Sequence, residues 1–497
     1  MSRSSPTEGS RQGELVRLDV IARDRVAEIV VIDQSLKPFA YGVGQISVEL
    51  PPGIYKARVI TGAQVREQFA VLKAGEGPVK VEFDPIAFAS PAPLGATAKA
   101  QDDHMEAARA QSLKVHVDLG GSSEIFLFLR DLTKPGKAPA ASAELAAGVK
   151  LVDAGGQLLV DFQAQGARDA GENPWYACNV ALKPGIYRLV TGAGAEGLAQ
   201  TVVASEGWQT QLFLMREPVG QGGDRHMLNM ASASMFLAKR GQGFQPREEG
   251  FRLIELARIG LANRRKILSR ADMDRLLDGK FENPLYGLFG AHLLLLARPP
   301  DRELIAKVVG NLRGMLGTQH PDVEAIALAS GAPDARESFD HPPMLARSYW
   351  LVIERSAKKP WLVPPGSVMV GIAARLWSGP GSWLVYGEPG IMDAPMSFAL
   401  ESNSLTSNED LIKQLRHQDL QRLTQSRIEL TAVEEAVLRY LTPSSATRLS
   451  LRVLSFPLTD DTDSDEERLV RALGVPPAAL HDAIRGILAK ARLLGSS

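Results

Sequence analysis

LPPGIYKARVITG at 50–62 returns as LKPGIYRLVTG at 182–192, with Pro52-Gly53-Ile54-Tyr55 matched by Pro184-Gly185-Ile186-Tyr187 at an offset of 132 residues. An internal repeat sets architecture before any local element is read. The first 215 or so residues therefore read as two related modules rather than one enzyme domain. Around the first copy, AEIVVID at 27–33 is rich in β-branched residues, and ISVEL at 46–50 and IYKARVI at 54–60 alternate apolar with polar. Short strands punctuated by Gly and Pro predict an antiparallel β-sandwich over 15–84. The Pro-Gly turn has a local reason: Pro fixes φ and donates no hydrogen bond, Gly admits positive φ, and the Tyr packs its ring on the following strand.

The second module spans 113–216, opening at LKVHVDL and continuing through EIFLFLRD at 124–131, which matches EIVVID at 28–33. It carries an insertion: VKLVDAGGQLLVDF at 149–162 predicts a hairpin around Gly155-Gly156, and the polar QAQGARDAGENPW at 163–175 reads as a loop. Residues 1–14, polar and without an apolar period, read as disordered, and the Ala- and Pro-rich 85–112 as a linker.

The turn and its flanking strands resemble those of small sandwich domains of the PEGA or carboxypeptidase-regulatory type. That resemblance implies a non-catalytic adaptor. Sandwich modules joined to a helical segment carrying ENPLYGLFGAHLLL at 282–295 also resemble bacterial proteins encoded beside peptidases and defence effectors. This implies a co-encoded peptidase or effector as partner.

Beyond EPVGQGGDRH at 217–226 the apolar period becomes helical, and 226–359 reads as an all-α domain. FRLIELARIGLANRRKIL at 251–268 ends in Arg264, Arg265 and Lys266, where a helix dipole favours cations. Ser269 caps SRADMDRLLDGKF, and Asn283-Pro284 opens NPLYGLFGAHLLLLA. DRELIAKVVGNLRGML at 301–316 and PPMLARSYWLVIERSA at 342–357 continue the series. Residues 360–425 form a Pro-, Gly- and Trp-rich connection with a helix, and 426–497 a helical, winged-helix-like terminal unit. The expected fold is two duplicated antiparallel β-sandwich modules, an all-α domain and that small unit.

Composition bounds the function. The 497 residues carry 56 basic and 57 acidic side chains, so no overall field draws the chain to nucleic acid or anionic membrane. Cys178 is the single cysteine, which excludes an intrachain disulfide. The N-terminus lacks a signal-peptide apolar core, and the longest apolar stretch, 285–297, is too short to span a bilayer. A cytoplasmic protein without membrane association is expected.

Motifs for chemistry are absent or incomplete. Gly192 to Gly197 fits G-x-G-x-x-G, but LAQTVVASEGW after it reads as strand, whereas a dinucleotide site needs a helix there. Cys178 in WYACNVAL has no base in sequence reach and reads as an inert strand thiol. The eight histidines form no H-x-x-x-H pair, and His292 reads as a satisfied interior residue. Ser378 and Ser382 in WSGPGSW lack the nucleophile-elbow pattern. No catalytic residue, cofactor site or metal site is assigned.

In DEERLVRALGVPPAALHDAIRGILAKARLL at 465–494, two helices flank Gly474-Val475-Pro476. The second carries Arg485, Lys490 and Arg492, which under a DNA-binding reading would meet phosphates. The acidic run DDTDSDEE at 460–467 opposes that field, so the pair is expected to contact protein. The chain reads as a scaffold or regulatory subunit binding another protein chain. A DNA-binding regulator and a hydrolase with dispersed residues are the alternatives.

Overall fold

The computed structural model describes residues 15–495 except 24–26, 62–63, 85–89, 96, 98–100, 133–144, 170–172, 193–196, 220–224, 263–269, 298, 318–319, 377–380, 388–407, 416, 427 and 443–463. The N-terminal part is β-rich with several sheets, and the C-terminal half is helical. Two compact units partition the chain: 1–90, 94–100 and 247–278 in one, and 91–93, 101–246 and 279–497 in the other.

The first unit opens with β1 Val16–Ala22, β2 Glu28–Ile32, β3 Pro38–Val43, β4 Gln45–Leu50, β5 Gly53–Thr61, β6 Gln64–Leu72 and β7 Val79–Phe83. They hydrogen-bond in the order β6-β5-β2-β3-β4-β1-β7. All pairs are antiparallel except β1 with β7. That parallel pair departs from the antiparallel expectation: after five intervening strands the chain returns beside its first strand, running in the same direction. Alternation puts Val16, Leu18, Val20, Ile29, Val31, Ala57, Val59, Leu72 and Phe83 into one core.

The second unit begins at α1 Asp102–Ser112, so the second half of the expected linker is an ordered helix. The alanines that give this stretch the composition of a linker also favour helix. His104, Met105, Ala108 and Ser112 are its buried residues. Then follow β8 Val117–Asp118, β9 Ser123–Asp131, β10 Lys150–Asp153, β11 Leu158–Asp161, β12 Ala167–Asp169, β13 Trp175–Leu182, β14 Gly185–Thr191, β15 Leu198–Ala204, β16 Trp208–Val219, β17 Arg225–Leu228 and β18 Ser234–Lys239. One sheet runs β12-β13-β9-β16-β17, with β18 on β16 and β8 on β13. Its central β9 is buried along its whole length, and its Phe126 and Phe128 meet Phe213, which in turn meets Phe236 and Phe244, in tilted and edge-on contacts. The hairpin expected at Gly155-Gly156 is β10–β11.

Two boundaries differ from the expected all-α domain over 226–359. Residues 225–228 and 234–239 are strands; SMFLA at 234–238 is buried throughout and so shows no period. Next, α2 Glu249–Ala262 and α3 Arg270–Asp278 belong to the first unit. The tie is polar: buried Glu255 accepts from Ser90 Oγ at 2.9 Å and pairs with Arg258 at 3.0 Å. Arg264 to Lys266 and Ser269 lie outside the described residues.

The helical half holds α4 Pro284–Leu294, α5 Arg302–Leu316, α6 Pro321–Ser330, α7 Ala346–Ser356, α8 Val368–Ile372, α9 Asn408–Gln414, α10 His417–Gln425, α11 Ala432–Leu441, α12 Asp465–Leu473 and α13 Pro477–Gly495. Asn283 and Asp301 cap α4 and α5 by accepting from Leu285 N and Leu304 N. Gly474 ends α12 in the left-handed conformation. Within the Trp-rich connection lies β19 Val385–Gly387, which adds to β15 and makes the second sheet β11-β10-β14-β15-β19. No helix among the described residues is long and apolar enough to cross a membrane.

Candidate functional site: an exposed apolar sheet face

The repeated turn builds the same local structure twice. In β5–β6 Gly53 faces Leu72 and Tyr55 faces Ala70; in β14–β15 Gly185 faces Ala204 and Tyr187 faces Val202. The Tyr55 hydroxyl donates to the Pro51 carbonyl at 3.0 Å, and the Tyr187 hydroxyl to the Lys183 carbonyl at 2.6 Å. Neither Gly53 nor Gly185 has positive φ. Each instead lies under its tyrosine ring, where an added Cβ would sit at 3.5–3.6 Å. The glycines are thus not there for left-handed backbone, which corrects the expectation from sequence.

Strand order repeats as well. The run β6-β5-β2-β3 has its counterpart in β15-β14-β10-β11, and β4-β1-β7 in β13-β9-β16, including the parallel pairs β1–β7 and β9–β16. By position in the sheets, EIFLFLRD (β9) sits as β1 does, next to a parallel partner, whereas EIVVID (β2) sits as β10 does. Asp33 and Asp153 close the same turn: each side chain accepts from the backbone N–H four residues on, Lys37 at 2.9 Å and Gln157 at 2.8 Å. The left-handed position is Gly156 in one copy and Leu36, with φ of 60°, in the other.

The outer faces of the two runs are in opposite states. In the second unit, Val152, Val190 and Ala199 are buried in one cluster with Phe339, Tyr349, Val352 and Tyr386. In the first unit the corresponding face is open. Phe69 is 69% exposed, Tyr41 65% and Leu36 75%, and Phe39, Ile54 and Val71 are also exposed. Register makes them neighbours: Ile54 faces Val71, Lys56 faces Phe69, Arg58 faces Glu67, and Tyr41 faces Val30. The charges on this face are paired among themselves, two cations sharing one carboxylate. Glu67 binds Arg58 at 2.6 Å and Lys56 at 3.1 Å, and these bonds, Arg58's first, hold its carboxyl below the usual range. Lys56 Nζ also lies 5.4 Å from the Phe69 ring centroid. Exposed apolar side chains interspersed with paired charges on one sheet face are suited to a protein surface.

The residues singled out from sequence are placed differently. Arg485 and Arg492 are exposed and, seven residues apart, share one side of α13. Lys490 is turned away from them and pairs with buried Glu434 at 2.6 Å. The structure therefore does not bring the three cations together. Leu480, Ile484 and Ile487 on α13 are core residues, so this helix is packed rather than solvated. The described end of the acidic run, 464–467, acts locally. Ser464 and Glu467 form a capping box at the N-terminus of α12, where Asp465, Glu466 and Glu467 meet the positive dipole end.

Cys178 is buried, and burial pushes its thiol up to about 11. Gly192 is followed by β15, not a helix; residues 193–196 and Ser378 lie outside the described residues, and Ser382 is buried. His292 Nε2 and Ser348 Oγ are 2.9 Å apart, but both are fully enclosed, and burial holds the imidazole pKa well below its ordinary value. His292 Nδ1 has no hydrogen-bond partner among the described residues, so only half of its ring is satisfied. No group of three metal-ligating side chains occurs among the described residues.

No family model matches the chain, and no curated protein matches it. Among solved structures, the Bacillus anthracis TIE protein is similar over 39% of this chain and 31% of its own, at 14% identity and a TM-score of 0.14. The chain spans about a third of that protein's length. A likeness at that TM-score carries no argument about fold or function.

Proposed function

We propose that this chain is a non-catalytic scaffold or regulatory subunit that binds another protein chain. It is built on two duplicated β-sandwich modules, one closed and one open. The matched strand orders, the two tyrosine–carbonyl bonds and the two aspartate turns support the duplication. One observation carries the function: the outer sheet face roofed over in the second unit is bare and apolar in the first, with Phe69, Tyr41, Ile54 and Val71 exposed together. Burying a Phe or Leu side chain is worth about 1.5–3 kcal/mol, so such a face is an association surface.

The test is capture of bound chains by the tagged full-length protein from its native cells. A Tyr41→Asp/Phe69→Asp variant should lose the specific partner, while Arg485→Ala/Arg492→Ala should retain it. These positions are exposed, so both variants should melt like the parent. An identical partner set in the face variant would sink the proposal. Loss confined to the arginine variant, with salt-dependent duplex binding by the parent, would move the function to α13 and nucleic acid. Deleting 465–494 is no substitute, because Leu469, Val470, Leu480 and Ile484 belong to the core.

A further inference from the structure

We infer that the outer edge of β6 takes an extended apolar segment of a partner polypeptide as an added antiparallel strand, as β15 takes β19. This rests on the scaffold reading and specifies how the partner binds.

The edge has the form strand addition requires. Among the described residues β6 pairs only with β5, in a ladder running without a register shift from Gly53–Leu72 to Thr61–Gln64. It is nine residues long, QVREQFAVL, with no Pro and no Gly. Edge strands are commonly protected by bulges, prolines, shortness or charge, and of these β6 has only the charges of Arg66 and Glu67, the latter paired with Arg58 and Lys56 of β5.

The second unit shows what fills the corresponding edge. There β19 pairs antiparallel with β15, Leu198 facing Gly387, Ala199 facing Tyr386 and Gln200 facing Val385. The 132-residue offset maps those three positions onto Arg66, Glu67 and Gln68. The strand that fills β15 is aromatic and aliphatic: Trp383, Leu384, Val385 and Tyr386 are all buried. Its Tyr386 hydroxyl lies 3.2 Å from Thr201 Oγ1. In β6 the counterpart of Thr201 is Phe69, and that of Val203 is Val71. The first edge therefore offers no hydroxyl partner; at the place of Tyr386 the added side chain would stand opposite Glu67, whose charge is paired with Arg58 and Lys56, and an aliphatic one would lean on Phe69 next along the strand. Main-chain bonds would supply the pairing, and packing on Phe69 and Val71 the preference.

The probe is a labelled peptide of sequence SWLVYGE, residues 382–388, together with its Tyr386→Leu form, titrated into the full-length protein. Both should bind saturably, the leucine form several-fold tighter. Phe69→Asp/Val71→Asp in the protein should weaken binding at least tenfold without changing its melting temperature. N-methylation of the peptide backbone at both Val385 and Tyr386 should do the same, since strand pairing needs one of those N–H groups. Hydrogen exchange should slow at 65–71 on binding. Absence of saturable binding, or binding indifferent to N-methylation or to the Asp variant, overturns the inference. If the face variant loses its cellular partner while neither peptide binds, the scaffold reading stands and strand addition falls.

Discussion

Leu36 is the sharpest single-residue signal in the molecule. It has φ of 60°, a conformation costing a non-glycine residue roughly 1–2 kcal/mol. The matching turn uses Gly156, so glycine is compatible with this geometry. Leu36 nevertheless projects an apolar side chain to solvent beside the open face. Strain kept where a relaxed alternative exists is a pointer to function. Leu36→Gly should raise stability by about 0.5–1 kcal/mol, the relief being offset by glycine's larger unfolded-state entropy, and should weaken partner capture. Chemical denaturation and the capture assay check the two halves separately; a destabilised Leu36→Gly protein would contradict the strain argument. Cys178, by contrast, is an interior thiol kept protonated by burial.

At the scale of elements, capping explains where helices begin and end. Thr431 with Glu434 and Ser464 with Glu467 form complete capping boxes. Between α12 and α13, Gly474 answers two demands. Its φ is 68°, and a Cβ there would collide with the Trp350 ring. Its carbonyl accepts from the buried Tyr349 hydroxyl at 3.2 Å. Gly474→Ala should cost at least about 2 kcal/mol, combining left-handed strain with overpacking. Urea unfolding and Trp350 fluorescence would report it. A cost under about 0.5 kcal/mol would mean that the helix pair does not depend on this junction.

For the whole molecule, pH dependence follows from enclosed imidazoles. Burial holds His292 well below its ordinary pKa of 6.5, and lowers His320 too, against the opposing pull of Asp322 and Glu324. In the unfolded chain both protonate near 6.5. Below that pH the unfolded state binds more protons, so stability present in full above about pH 7 declines as pH falls. Each such histidine contributes a slope of at most about 1.4 kcal/mol per pH unit. The second unit should therefore melt lower at pH 5 than at pH 7. His292→Gln should flatten that difference, and an unchanged pH slope in the variant would show that His292 is not responsible.

The sequence by itself determined the recurrence of Pro-Gly-Ile-Tyr, the β-then-α order, and the helix starts at Asn283 and Asp301, because turns, caps and periodicity are short-range. It also held a subtler signal: the turn aspartates Asp33 and Asp153, whose match aligns β2 with β10. Only the tertiary structure decided the rest. β19 joins β15 across 185 residues from Gln200 to Val385, and Ser90 reaches Glu255 across 165. Such long-range pairings leave no periodic trace. Nor could the pattern of β6 reveal that its outer face lies open while that of β15 is covered, since alternation gives a strand two faces but not their occupants. Burial of Ala199 in the cluster with Tyr349 and Val352, and exposure of Phe69, are properties of what packs on each sheet.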